Sequence, residues 1–277
     1  MVKFRKENKR VGTLIRREEM KKIIAAIICV AMVFSFTGCG GNAGGGGEPV
    51  AQLTNLSSEA QTLGEEAVSL VREWMDPDNA GNRDGVPDGL QDITDSLYEI
   101  VEDVQGDEEK DTLSLWIALV EVKLDIEDTW FLIEESSEVI EKSLSIVEGK
   151  LGLKEVNYEV ELGYEYQDLG EEAREEGMQA VKLTYLSLND DLILGGIPLP
   201  VDELYEIEDK LMSKYEELEE SSGESYNSEA SDTLSLATSI GSLAFAMDSD
   251  MPEIEGKEKS EYMEECLQDL VQGLGLA

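Results

Sequence analysis

The chain of 277 residues has no histidine. That removes the usual general base near neutral pH and the commonest metal ligand. Ser-His-Asp and Cys-His nucleophilic sets are excluded with it. Cysteine is nearly as scarce, with only Cys29, Cys39 and Cys266. A structural zinc site built without histidine would need cysteines, and these three are all there are. Positive charge is the third shortage. Nine of the 22 bases and three of the 62 acids precede Cys39, which leaves 13 bases against 59 acids from there on. Such a surface repels the phosphates of nucleic acid and an anionic lipid leaflet. It enriches small cations and basic partners instead. Apolar residues make up 41% of the chain, enough to bury a core despite the charge.

The most informative stretch lies near the amino terminus. Lys21 and Lys22 precede an uncharged apolar run from Ile23 to Phe36, followed by Thr37, Gly38 and Cys39. The run fits the core of an export signal and is short for a spanning helix, which needs about 20 residues. Residues 20–39 resemble the signal peptide of bacterial lipoproteins. The motif there reads roughly Leu-(Ala/Ser/Thr)-(Gly/Ala)-Cys, and Phe36 stands where leucine is usual. The resemblance implies cleavage between Gly38 and Cys39, with lipid attached to the Cys39 thiol. Two acyl chains hold a protein on a membrane where one is marginal. It also implies a protein at the cell membrane, facing the extracellular or periplasmic side. The alternative is an uncleaved membrane helix ending near Cys39.

Gly40 to Gly47 is dominated by glycine, and such runs behave as flexible coil. Residues 39–56 therefore read as a tether between lipid and domain. Residues 1–19 suit no signal peptide, so translation is expected to start at Met20. Arg16-Arg17-Glu18-Glu19 could be a purine-rich ribosome-binding site read as protein. Sequencing the precursor and finding Met1 would refute that.

Residues 57–277 read as an acidic, predominantly α-helical domain, an irregular bundle. Ala60, Leu63, Ala67, Leu70, Val71 and Trp74 predict one helical stripe after Ser57. Leu90, Ile93, Leu97, Ile100, Val101 and Val104 predict a second. Leu113 to Ile126 is apolar on several faces and predicts the central helix. Further helices are expected around 139–147, 168–189, 201–220, 232–248 and 259–272. Val156, Tyr158, Val160, Leu162, Tyr164 and Tyr166 alternate with mostly polar residues, a strand signal over 156–166.

Two segments recur in the same order. Asp95-Ser96-Leu97-Tyr98-Glu99-Ile100 resembles Asp202-Glu203-Leu204-Tyr205-Glu206-Ile207. Asp111-Thr112-Leu113-Ser114-Leu115 is identical to Asp232-Thr233-Leu234-Ser235-Leu236. They predict two duplicated helix pairs; chance agreement among acidic, leucine-rich helices is the competing explanation. Leu169-Gly170, Ala173 and Gly177 look like a fragment of a tetratricopeptide repeat, but no second copy occurs at the required period.

The best metal candidate is the loop from Asp76 to Asp92. It resembles calcium loops of the EF-hand and thrombospondin type-3 kind. With Gly85 at the turn, the ligands would be Asn82, Asp84, the Val86 carbonyl, Asp88 and Asp92. Ala80 fills the first ligand position and Gln91 the last, and Arg83 adds positive charge. A helix-helix loop with Asp88 capping the next helix explains the same residues. Paired acids such as Glu134-Glu135 read as solvated helix faces; glycoside hydrolysis would need a cleft to position two of them. Tyr158, Tyr164, Tyr166, Trp74, Trp116 and Trp130 could line a carbohydrate surface but are core residues at these spacings. The composite expectation is a non-enzymatic lipoprotein that binds an envelope protein or small ligand. A calcium-binding adhesion module and an acid-pair hydrolase are the alternatives.

Overall fold

The computed structural model describes residues 50–76, 85–129, 136–156, 166–189, 199–222, 227–254 and 256–276. The fold is predominantly α-helical. Among the described residues, eight helices run in the order α1 (Ser58–Met75), α2 (Leu90–Asp103), α3 (Asp107–Thr129), α4 (Ser136–Lys150), α5 (Glu171–Asn189), α6 (Val201–Ser222), α7 (Ser228–Asp248) and α8 (Lys259–Gly273). A small antiparallel hairpin, β1 (Glu253–Ile254) with β2 (Lys257–Glu258), precedes α8. Gly256 adopts φ 82° between its strands, where an L side chain would be strained. The strand expected over 156–166 falls mainly on 157–165, outside the described residues.

The chain divides into two compact units. The first contains α1 to α4 and regains the chain at its far end, Val271–Ala277; the second runs from Tyr166 to Leu270. In the first unit α1 packs on α2, α3 and α4, while α3 packs on α2 and α4. Its core holds Leu90, Leu97, Leu113, Leu115, Trp116, Leu119, Ile126, Ile140 and Leu144, all fully buried. In the second unit α6 packs on α5 and α7, around Leu204, Leu211 and Leu236.

Helix α1 shows why one predicted stripe is rotated. Its buried residues are Ala60, Gly64, Ala67, Val68 and Val71, whereas Leu63, Leu70 and Trp74 are half-exposed. Gly64 is the cause. A methyl group there would sit 2.9 Å from Leu151 Cδ2 and 3.1 Å from Leu115 Cδ2, so neighbouring side chains reach the α1 backbone itself. The amino end of α1 is capped by Ser57, whose Oγ accepts from the Ala60 N–H at 3.2 Å. Asn227 does the same for α7, its Oδ1 accepting from the Ala230 N–H at 3.3 Å.

The matching segments fall on corresponding helices of the two units. The segments 95–100 and 202–207 lie on α2 and α6, and 111–115 and 232–236 on α3 and α7. The residues that resembled a tetratricopeptide fragment belong to this repeat instead. Leu169, Ala173, Gly177, Ala180, Val181 and Leu183 match Leu56, Ala60, Gly64, Ala67, Val68 and Leu70 at a constant offset. The hydrogen bonds correspond as well. Gln61 N–H donates to Ser57 C=O and Arg174 N–H to Gly170 C=O, each at 3.0 Å. Asp111 Oδ2 accepts from the N–H groups of Thr54 (2.9 Å) and Asn55 (2.8 Å) just before α1. Asp232 Oδ2 accepts from Asp168 N–H at 2.9 Å just before α5.

The fourth helices agree at their ends. After α4, Gly152 (φ 69°) donates to Gly149 C=O and Leu153 to Glu148 C=O, each at 2.9 Å. After α8, Gly275 (φ 67°) donates to Gln272 C=O and Leu276 to Val271 C=O, each at 2.8 Å. Both are Schellman caps, in which a left-handed glycine turns the chain back on the last carbonyls. Chance agreement of acidic helices explains neither these shared caps nor the shared aspartates. The correspondence covers the first three helices and the glycine turns after α4 and α8; it does not extend to packing, since α4 packs on α1 and α3 while α8 has no comparable packing on α5 or α7.

Candidate functional site

The sequence-predicted positions are distributed unevenly over the structure. Gly38 and Cys39 lie outside the described residues, as do Asn82 and Asp84 of the calcium-type loop. Val86 is half-buried, while Asp88 and Asp92 are exposed. Gly85 and Gly89 hold φ 81° and 93°. Asp88 does not cap α2: the cap position is Gly89, with no side-chain hydrogen bond to the helix start. Its left-handed turn places the Leu90 N–H 3.1 Å from the Pro87 carbonyl. Asp92 stands instead in the first turn of α2, where a carboxylate complements the helix dipole. Among the described residues, no three acids or cysteines gather as a metal site. Of the aromatics, Trp116 and Tyr166 are core residues and Trp74 is half-buried; Tyr158, Tyr164 and Trp130 lie outside the described residues.

The most distinctive chemistry of the first unit was not legible at its positions. Lys150 ends α4 and is 4% exposed; Ser114 on α3 is 3% exposed. Lys150 Nζ donates to Ser114 Oγ at 2.7 Å and to the Leu276 carbonyl at 3.3 Å. Ser114 Oγ donates to the same carbonyl at 2.7 Å. Burial pulls the Lys150 amine down to about 8, partly offset by the carboxylates of Glu121 and Asp111. A lysine at a helix end next to glycine looks like an ordinary solvated terminus. The available signal was the repeated Leu-Gly-Leu at 151–153 and 274–276, which marks a second helix end equivalent to the first.

A second polar cluster joins α1 to α4. Arg72 donates Nε to Glu148 Oε1 at 2.9 Å and Nη2 to Glu148 Oε2 at 2.8 Å. Both of its terminal nitrogens also bond Glu141. Lys154 Nζ lies 3.8 Å from Glu141 and 3.7 Å from Glu148. These partners hold Arg72 above its ordinary value and, through Arg72 first, Glu141 below the usual carboxylate range. On α3, Lys123 and Asp125 are buried in a stretch that reads as apolar, and Ser143 of α4 donates to Asp125.

In the second unit the Glu208 carboxylate lies against Gly241, so a methyl group on Gly241 would collide with it. Burial raises Glu208 above its usual range, with Asp209 adding to the effect. Tyr166 pairs with Ser239 at 3.3 Å, and burial raises its phenol. Burial and then Glu265 raise Asp269. Known protein families, characterised proteins and solved structures give no match to this chain.

Proposed function

We propose that the protein is a lipid-anchored lipoprotein of the cell envelope whose acidic helical modules act as a non-enzymatic interaction domain. The observation that carries this is the order of residues 20–39: a lysine pair, an uncharged apolar run, then Thr37-Gly38-Cys39. The start of the fold supports it. Val50 N–H donates to Val156 C=O and Leu53 N–H to Lys150 C=O, each at 2.9 Å, so the chain is docked on the first unit from Val50 onward. Residues 50–56, which the sequence reading gave to the tether, are thus held on the domain; in this proposal the glycine-rich residues before Val50 serve as the tether. No helix among the described residues is long and apolar enough to cross a membrane.

The excess of 59 acids over 13 bases after Cys39 favours a basic partner or a small cationic ligand and disfavours nucleic acid. Metabolic labelling with palmitate tests the anchor. The parent chain is expected to take up label and the Cys39→Ser chain to lose both label and processing. Equal labelling of the two refutes the anchor.

A calcium-binding role is a second reading, favoured by one observation. Gly85, the glycine that such a loop needs at its turn, has φ 81°, and α2 starts five residues later at Leu90. Calorimetry should then show calcium binding that Asp84→Ala weakens; no heat with the parent chain removes this reading.

A further inference from the structure

We infer that the α6–α7 seam of the second unit is a docking site for a lysine or arginine side chain of a basic partner, built from Tyr205, Glu208, Phe245 and Asp248. The inference deepens the proposed interaction role and rests on that reading.

The four groups stand together. Gly241, Phe245 and Asp248 follow one another a turn apart on α7, and Tyr205 and Glu208 a turn apart on α6. The Glu208 carboxylate lies over Gly241. Burial first, then the charges of Asp248 and Glu208, raise the Tyr205 phenol, so both acids stand beside that ring. Phe245 is 44% exposed.

The internal repeat shows what this seam looks like when it is closed. Leu97-Tyr98 matches Leu204-Tyr205, so Val101 stands where Glu208 does. Residues 111–115 match 232–236, so Trp116, Val120 and Leu124 stand where Ala237, Gly241 and Phe245 do. Val101, Trp116 and Val120 are fully buried, and Leu124 is 7% exposed. Tyr98 packs its ring against Trp116 with centroids 5.1 Å apart. In the second unit alanine replaces the indole, glycine replaces one valine and a carboxylate the other. The two valine changes are coupled, because a methyl group on Gly241 would collide with Glu208. The aromatic ring of this face, Phe245, meets water instead of core.

A carboxylate in place of a buried valine costs desolvation and adds nothing to the core. Burial raises Glu208, yet neither Glu208 nor Asp248 has a cationic partner among the described residues. Lys210 and Lys214 reach Glu176 and Glu172 of α5 instead. Lys259, beyond the end of α7, donates to the carbonyls of Met247 (3.3 Å) and Ser249 (2.6 Å). Local departures from a well-packed seam mark functional positions. An ammonium or guanidinium brought from outside meets two carboxylates beside two aromatic rings, where charge pairing and cation–π attraction act together.

An NMR titration of the full chain with a hexalysine peptide, at about 0.15 M salt, tests the site. The largest amide shifts should fall on Gly241 and Phe245. Glu208→Gln should weaken binding roughly fivefold or more. Phe245→Ala, an exposed change that leaves the core intact, should weaken it about threefold. Glu219→Gln removes the same charge from an exposed position of α6 and should stay within about twofold. Shifts spread over every acidic face, with equal affinity in parent and variants, overturn the site while leaving a basic partner in place. No binding of hexalysine at all removes the basic-partner reading, and this site with it. Tetramethylammonium that binds at Gly241 and Phe245 as tightly as hexalysine overturns a side-chain partner in favour of a small cation.

Discussion

Lys150 makes a sharp prediction about pH. Its amine is buried and titrates at about 8, against an ordinary value of 10.5. In the unfolded chain the group keeps its proton until about pH 10.5; in the folded chain it gives it up near 8. Between those values the unfolded state holds more protons, so raising the pH favours folding. Below pH 8 both states are protonated and the full cost of burying the ammonium is present. Each pKa unit is worth about 1.36 kcal/mol, so the cost relieved across the window is on the order of 3 kcal/mol. Other groups titrate there as well, which makes the difference between two chains the useful quantity. Urea unfolding of the parent and of Lys150→Met at pH 7, 8, 9 and 10.5 isolates it. The variant should be favoured at pH 7 relative to pH 10.5, and the gap should shift toward the parent by ~3 kcal/mol across the series. A gap that stays flat within about 0.5 kcal/mol means the ammonium is not desolvated in the fold, and the reasoning fails.

Three further outcomes follow from the same geometry. Arg72→Met should destabilise the first unit by about 1–3 kcal/mol, because Glu148 is left partly buried without its bidentate partner. Since Arg72 holds Glu141 below its ordinary 4.5, that advantage should be present above pH 4.5 and fade as the pH falls further; acid titration of unfolding by circular dichroism checks it. Gly152→Ala and Gly275→Ala each force an L residue into the left-handed region and should cost ~1–2 kcal/mol apiece in urea midpoints; a loss of only a few tenths at either would deny the shared cap. Asp111→Ala removes the acceptor for two backbone amides and the Asn55 side chain, so it should cost about 2 kcal/mol and open residues 50–56 to proteolysis; unchanged cleavage there refutes the clamp.

The predominantly helical class was legible because most helices carry a clear apolar period. Boundaries failed where the first turn is dominated by polar residues. Helix α3 starts at Asp107, six residues before the apolar run, because Asp107, Glu108 and Glu109 suit the positive helix start. Helix α7 starts at Ser228, four residues before the expected 232, because Asn227 caps it. The repeat was half visible. Leucine and aspartate matches on α2, α3, α6 and α7 stood out, whereas α1 and α5 agree mainly in small residues such as Ala60/Ala173 and Gly64/Gly177. Small residues carry little weight in an apolar pattern and much weight in packing, since they set how closely neighbours approach. The Ser114–Lys150 pair was illegible because its meaning depends on Leu276, more than a hundred residues away. The two-residue strands of the hairpin are too short to show any period.

The scarce cations show how a chain so acidic can fold. Arg72 joins α1 to α4, Lys210 and Lys214 join α6 to Glu176 and Glu172 of α5, and Lys257 joins β2 to Glu265 of α8. The exposed pairs among them, those of Lys210, Lys214 and Lys257, contribute only about 0–1 kcal/mol each, so they are not the main source of stability. Their placement matters more than their strength. Where two helices meet, an uncompensated pair of acids would repel at close range, and a cation at that seam removes the repulsion. On the outward faces the acids stay solvated and spread apart, where salt screens them within about 8–10 Å. Among the described residues, these cations sit where two elements meet. The acids outnumber these cations so heavily that most of the negative charge must be carried by solvation, and that excess is what the proposed basic partner would meet.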